Sequence, residues 1–314
     1  MIFPHPTPPC SLASSDWSLP GDGFGPSERE NALRIIQAAL SEDLGNLGDV
    51  TSQALLEASA QAEAWVVTRA AGVVAGLPLV PLLIQVGGFQ LDAVAYVRDG
   101  QSLESGTPLL YLRGSARDLL AVERTLLNML QRLSGIASQT ALFVERTRGT
   151  RAVVLDTRKT TPGLRLLEKY AVRCGGGRNH RIGLYDQILI KDNHLAFLER
   201  QGVANPIAHA VLAGRRRFPQ LKVEVEVDRL DQFQIALEAG PDLILVDNFA
   251  LDQLRTAVAL RDRVAPTILI EVSGGVTLDR VGELAATGVD RISVGALTHS
   301  APALDLGMDD RPPA

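Results

Sequence analysis

Residues 156–163 read Asp-Thr-Arg-Lys-Thr-Thr-Pro-Gly, which places two adjacent cations, Arg158 and Lys159, beside the hydroxyls of Thr157, Thr160 and Thr161 on one turn. The apolar run Ala152-Val153-Val154-Leu155 before it has the pattern of a short buried strand, and Leu164 to Val172 after it reads as helix. Turns leaving the carboxyl ends of parallel strands are where α/β proteins bind anions. Taken alone, the stretch could also be a solvated turn.

Other strand-like runs end in the same way. Strands are predicted at 152–156, 186–191, 221–227, 242–247, 267–272 and 289–294. Their last residues or immediate successors are Asp156, Lys191, Glu226, Asp247, Ser273-Gly274-Gly275 and Gly295. The loops at the opposite ends, such as Pro219-Gln220, Ala265-Pro266 and Thr287-Gly288, are bland. If the strands run parallel, the polar tips gather at one mouth. Arg158, His180 and Arg181 suit carboxylates or phosphates, because guanidinium and imidazole are planar donors. Lys159 and Lys191 are compact cations. Glu226 and Asp247 form a carboxylate pair suited to Mg²⁺ that keeps its waters. Ser273-Gly274-Gly275 and Gly295-Ala296 offer backbone N–H groups for a phosphate. Together these groups suit a phosphorylated sugar and a carboxylate. His194 reads as structural.

Helical segments fall between most of these strands, at 163–173, 203–217, 229–239, 250–262 and 277–287. The alternation predicts a parallel α/β barrel or a doubly wound sheet. No Gly-x-Gly-x-x-Gly or Walker A loop follows a strand, which argues against dinucleotide and P-loop folds.

Upstream the pattern is mixed. Residues 1–27 are rich in Pro, Gly and Ser and read as a flexible leader. A helix is expected from Ser27, with Ser27 and Glu30 as a capping box, and it ends at Glu42-Asp43-Leu44-Gly45. Asp49 or Thr51 caps a short helix after it. Strands follow near 64–67, 91–97 and 107–112, then a long amphipathic helix from about 115 to 147. Ser134-Gly135 is expected to interrupt or bend that helix, and Arg124, Asn128 and Gln131 form a polar stripe that reads as a solvated face. The domain boundaries expected are 28–148 and 149–300, with 301–314 a tail returning to the N-terminal domain.

The 314 residues carry a net charge of −5, with 46% hydrophobic and 21% charged residues. Nothing in that balance points to nucleic acid or a membrane surface. Residues 156–194 hold eight Lys/Arg against four Asp/Glu, which is +4 there and −9 in the remainder. This local surplus suits a small anionic ligand. The two cysteines, Cys10 and Cys174, suggest no disulfide framework. No apolar run approaches the roughly 20 residues of a membrane span, and the start lacks a signal-peptide pattern, so a cytoplasmic location is expected.

With these residues in view, the chain from about 28 to 300 resembles the quinolinate phosphoribosyltransferase family. The resemblance rests on Glu42 to Gly45 with Gly48 to Ser52, Glu123 to Asn128, Leu133 to Ala137, Asp156 to Gly163, His180 to Leu184, Ile190 to His194, Glu224 to Glu226, Asp247 to Phe249, Ser273 to Gly275 and Val294 to Ser300. It implies an N-terminal α/β sandwich domain plus a C-terminal open six-stranded α/β barrel. It implies phosphoribosyl transfer from phosphoribosyl pyrophosphate (PRPP) to quinolinate with decarboxylation, giving nicotinate mononucleotide, with Mg²⁺ as cofactor. It also implies a homodimer, or an assembly built from it, in which Arg124 completes the neighbour's site. Thr157, Arg158, His180, Arg181 and Lys191 would bind quinolinate, and Lys159 the phosphates. Glu226 and Asp247 would hold the ribose and Mg²⁺-pyrophosphate, and Ser273 to Gly275 with Val294, Gly295 and Ala296 the 5′-phosphate. Lys159, Lys191, Glu226 and Asp247 would stand nearest the chemistry. The alternatives are a related type II phosphoribosyltransferase, including molybdenum-transport-associated homologues, a Schiff-base aldolase using Lys191, and a non-catalytic metabolite sensor.

Overall fold

The computed structural model describes residues 17–20 and 23–311. The described chain forms α1 (Pro26–Leu44), α2 (Val50–Leu55), β1 (Gln61–Thr68), β2 (Gly72–Val73), α3 (Leu79–Gly87), β3 (Leu91–Ala95), β4 (Ser102–Leu103), β5 (Pro108–Ser115) and α4 (Ala116–Arg146). Then come β6 (Val153–Leu155), α5 (Arg165–Cys174), β7 (Ile188–Ile190), α6 (Asp192–Arg200), α7 (Pro206–Arg217), β8 (Val223–Val227), α8 (Leu230–Ala239) and β9 (Leu243–Asp247). The last elements are α9 (Leu251–Val264), β10 (Leu269–Ser273), α10 (Val281–Ala285), β11 (Arg291–Ser293), α11 (Ala296–His299) and β12 (Leu306–Asp309). No helix among the described residues is long and apolar enough to cross a membrane.

The chain divides into two compact units. The first takes residues up to 141, 160–176 and 298 onward. Its main sheet is antiparallel, ordered β12-β1-β5-β3, with a small β2-β4 pair beside it. The apolar side of α4 is buried at Leu119, Val122, Leu126, Leu127, Leu130 and Leu133. Each such side chain contributes about 1.5–3 kcal/mol relative to exposure.

These boundaries differ from the sequence division at 148/149, because buried charge ties later segments into this unit. Glu168 of α5 is fully buried and accepts from Arg132 of α4 at Nε (3.2 Å) and Nη2 (2.7 Å). Arg132 also donates to the Ala301 carbonyl at 3.2 Å. The tail then pairs β12 with β1, Trp65 opposite Asp309. Gln131, read as part of a solvated stripe, donates to the Leu306 carbonyl at 2.8 Å.

Local expectations change in three further places. First, α4 runs unbroken through Ser134-Gly135. Gly135 serves close approach instead, since a Cβ there would lie 2.0 Å from the Pro302 carbonyl oxygen. Second, α1 begins at Pro26 with Gly25 as N-cap and no side-chain cap, so Ser27 does not build a capping box. Proline at the first helical position needs no N–H partner. Asp49 does cap α2, accepting from Thr51 and Ser52 N–H. Third, the expected leader is not all loose. Its residues 1–16, 21 and 22 lie outside the described residues, but Trp17 is 3% exposed and its carbonyl accepts from Asp99 N–H at 2.9 Å. Leu19 N–H donates to Tyr170 Oη at 3.1 Å, and Phe24 meets the Tyr170 ring edge-on at 5.2 Å.

The second unit takes residues 142–159 and 177–297. It holds a six-stranded sheet ordered β6-β11-β10-β9-β8-β7, every pair parallel. All six predicted strands are present, each trimmed by a residue or more. Three short helices are not among those expected: α3, α11 and α6, the last starting directly after Lys191. His194 caps it, its Nδ1 accepting from Lys191 N–H at 2.9 Å. At the amino ends of the strands opposite charges pair: buried Arg261 donates from Nη1 to Asp290 at 2.6 Å, and Asp290 also accepts from Arg151 and from Ile270 N–H.

A buried carboxyl in the first unit supplies a pH test. Asp99 is 1% exposed. Burial pushes its pKa up to about 7, against the Tyr170 hydroxyl and the Gly76 and Leu77 N–H groups that favour the carboxylate. In the unfolded chain the group titrates near 3.9. The folded state therefore holds the extra proton between these values, and the stability Asp99 contributes, full below about 4, falls as pH rises toward about 7. The unfolding free energy of the parent minus that of Asp99→Asn should decline across this window in denaturant titrations. A flat difference would refute the assignment.

Candidate active site

The parallel sheet brings the polar tips together. Asp156 follows β6, Lys191 follows β7, Glu226 lies near the end of β8, and Asp247 and Ser273 close β9 and β10 in direct register. Val294 and Gly295 follow β11. All lie at the carboxyl ends of strands that run the same way.

Asp156 is fully buried and builds the first turn rather than facing a ligand. Its oxygens accept from Asn179 Nδ2 at 2.6 Å and His180 N–H at 2.9 Å, which ties the 178–181 segment to the end of β6. The Thr157 hydroxyl accepts from Lys159 N–H at 3.0 Å and so shapes the turn that carries Arg158. The Lys159 side chain is on the exposed side. Arg158 Nε is buried without a hydrogen-bond partner within the protein. Arg181 is held below the usual guanidinium range, first by burial and next by the charge of Arg158. The two guanidinium groups thus act on each other as like charges, and the nearby Glu224, Asp186 and Glu226 offset this and the burial only in part. An anion with two acidic groups would relieve it.

Lys191 Nζ donates to Glu226 at 2.5 Å. Glu226 and Asp247 line a cleft of about 620 Å³ that also touches Asp192, Asp228 and Arg229. Asp247 accepts from Asn248 Nδ2 at 2.9 Å. Two carboxylates on neighbouring strands, open to a cleft, fit Mg²⁺, which prefers few protein ligands and retained water. They do not form a closed cage. Among the described residues, the one His/Cys/Asp/Glu cluster tight enough to enclose an ion is His180, Glu224 and Glu271, and it is a different group.

Gly274 and Gly275 have φ of 88° and 57°, in the left-handed region. A Cβ at Gly274 would lie 2.3 Å from Asn248 Oδ1 and 2.7 Å from Asp247 Oδ1. Asn248 itself has φ 57° and donates its N–H to the Ser273 carbonyl at 3.1 Å. The glycine turn and the Asp247 turn therefore pack as one piece. Val294 departs from expectation, because its N–H is spent on the Leu155 carbonyl at 2.9 Å. Gly295 and Ala296 remain at the start of α11. Arg124 lies on α4 in the first unit, its side chain 62% exposed and 3.8 Å from Glu123.

His180 is placed differently from the sequence expectation. The ring is buried, with Nε2 3.2 Å from Glu224 and 3.1 Å from Glu271. Nδ1 accepts from Arg181 N–H at 2.7 Å, so the ring proton lies on Nε2, facing the two acids. Both ring nitrogens are thus engaged inside the barrel, and neither has been left for a carboxylate ligand. Glu224, Glu271 and Gln187 were missed as site residues. The signal was the alternation in Glu224-Val225-Glu226, which puts both glutamates on one face of β8.

Comparison with known proteins shows the family of the chain. Residues 49–134 match the family described as quinolinate phosphoribosyl transferase, N-terminal domain, and residues 136–309 match its C-terminal domain. A nicotinate-nucleotide pyrophosphorylase [carboxylating] of Mycobacterium leprae is 47% identical over 284 residues, covering 90% of this chain and 98% of the relative. A probable nicotinate-nucleotide pyrophosphorylase [carboxylating] of Bacillus subtilis is 41% identical, covering 88% and 92%. The solved nicotinate-nucleotide pyrophosphorylase of Francisella tularensis superposes with a TM-score of 0.82 at 36% identity, covering 90% of this chain and 96% of that one. Both domains being matched, the chain belongs to the quinolinate phosphoribosyltransferase family.

Proposed function

We propose that the chain transfers the phosphoribosyl group of PRPP to the ring nitrogen of quinolinate, releasing pyrophosphate and CO₂ and yielding nicotinate mononucleotide for NAD synthesis. The observation that carries this reading is the close pair of like charges, Arg158 and Arg181, within the cation-rich segment 156–194 that also supplies Lys191, at the mouth that holds two cleft-facing carboxylates. Holding a diacid next to a pyrophosphate requires such a surplus, since like charges at about 4 Å repel by roughly 4 kcal/mol at an effective dielectric of 20.

In this reading Arg158, Arg181 and Lys191 grip the two carboxylates, and Thr157 sets the turn beneath Arg158. Lys159 faces the phosphates. Glu226 and Asp247 orient the ribose hydroxyls and would hold Mg²⁺, which when bound neutralises the departing pyrophosphate. As pyrophosphate leaves, positive charge develops on the ribose, and the fixed carboxylates stabilise it without reorganising. The pyridine nitrogen then attacks C1 of the ribose and the ring becomes cationic. CO₂ leaves from the 2-position, its bonding pair stays on the ring carbon beside the cationic nitrogen, and that carbon takes a proton. Ser273 to Gly275, with Gly295 and Ala296, cradle the 5′-phosphate through backbone N–H groups. His180 acts behind this surface, through Arg181. A second copy of the chain supplies Arg124, whose exposure leaves it accessible to a neighbour, and the working unit is a cytoplasmic homodimer.

Incubation with quinolinate, PRPP and Mg²⁺ should give nicotinate mononucleotide and CO₂ in equal amounts. Product from nicotinate with no CO₂ from quinolinate would reject the reading. Arg158→Ala should weaken quinolinate binding by about 2–5 kcal/mol in calorimetry; an unchanged affinity would remove Arg158 from the site. Arg124→Ala and Lys191→Ala should each be inactive alone. Refolded together, they should recover up to about a quarter of parent activity, from mixed dimers with one intact site. No recovery on mixing would exclude the shared site.

A further inference from the structure

Four residues beneath the diacid-gripping surface form a closed ring of polar contacts, two of its links made by the Arg181 backbone N–H and the Gln187 backbone carbonyl, that begins and ends on one oxygen. Glu224 Oε2 faces His180 Nε2 at 3.2 Å and accepts from Gln187 Nε2 at 2.6 Å. The other side of each of those residues meets Arg181: His180 Nδ1 accepts the Arg181 backbone N–H at 2.7 Å, and the Gln187 carbonyl accepts from Arg181 Nη1 at 3.4 Å. Arg181 is therefore held at its backbone and at its guanidinium by two arms that share a single support. Glu224 and Glu271 are fully buried, and His180 and Gln187 are 8% and 9% exposed.

We infer that Glu224 is a positioning residue for acceptor binding, acting through His180 and Gln187 to fix Arg181, with Glu271 as the second brace. This rests on the reading that Arg181 grips quinolinate. Glu271 touches the same His180 Nε2 at 3.1 Å and is itself held by the Ser293 hydroxyl and by Arg291, whose Nε is 2.8 Å away. The imidazole thus has a carboxylate on each side and cannot turn without breaking contact with one of them. Arg181 needs this support because it is partly desolvated and repelled by Arg158. Left to itself, a long cationic side chain in that position would swing toward water.

The test compares Glu224→Leu, Glu224→Gln and Gln187→Met with the parent. A glutamine at 224 can accept both bonds through its amide oxygen, whereas leucine can accept neither. Glu224→Leu should raise the quinolinate KM by at least about tenfold while the PRPP KM stays within about twofold, because misplacement of a gripping group is felt by its own substrate. Glu224→Gln should return the quinolinate KM to within about threefold of the parent. Calorimetric quinolinate affinities in the Arg181→Ala background should show no further loss on adding Glu224→Leu, as expected for residues acting through one another. Equal rises in both KM values, or additive losses with Arg181→Ala, would overturn the inference. If Glu224→Leu does not fold, Gln187→Met breaks one arm and carries the same comparison, with quinolinate KM alone expected to rise. A parent that turns over quinolinate alongside insensitive variants defeats only the positioning role, whereas a parent with no turnover defeats the functional reading itself.

Discussion

A charge taken out of water must be matched nearby or it costs free energy, and the second unit meets that demand unequally at its two ends. At the amino ends of the strands Arg261 and Arg151 pair with Asp290 as opposite charges. In the middle of the barrel Glu224, Glu271, His180 and Arg291 set charge against opposite charge, although Glu224 Oε1 has no hydrogen-bond partner among the described residues. At the carboxyl ends Arg158 and Arg181 repel each other, and Arg158 keeps a buried Nε without a partner. The carboxyl end is thus where two like charges act on each other, whereas elsewhere in this unit the buried charges face opposite ones. That is what a protein built to receive a multiply charged anion requires, and it separates a site from a merely charged surface.

The layers below make this possible. Parallel pairing forces every strand to deliver its last residue to the same side. Period-two alternation then sends Glu224 and Glu226 to the same face at different depths, one into the packed interior and the other to the cleft. The glycine turn after β10 packs against the Asp247 turn so closely that a single methyl would collide with it. The glycine turn proposed to cradle phosphate and the Asp247 turn are therefore one mechanical piece.

Much of this was legible in the chain itself. Six short apolar runs with polar tips and bland reverse loops gave the strands and their shared direction. The cation surplus at 156–194 pointed to the ligand's charge. What escaped was set by contacts between residues distant in sequence. Gly135 looked like a helix breaker until Pro302 was seen against it. Gln131 looked solvated until the Leu306 carbonyl appeared. The division of the chain was misplaced because Glu168 and Arg132 join segments that a linear reading assigns to different domains. His180 has the right type and place for a ligand, and only its two buried acids reveal that its bonding capacity is already spent.

The order of strands carries one more implication. β6 and β7 are the two edges of the open barrel, and Arg158 and Lys191 follow them directly, with Arg181 on the segment between. Glu226, Asp247 and Ser273 instead lie on strands paired on both sides, and Gly295 follows another such strand, β11. In the proposed reaction the groups assigned to the donor sugar are thus anchored in the continuous sheet, and those assigned to the acceptor ring lie along its seam. Such a layout lets a lineage alter which aromatic acid it accepts by reshaping the seam, while the sugar-activating half is inherited intact.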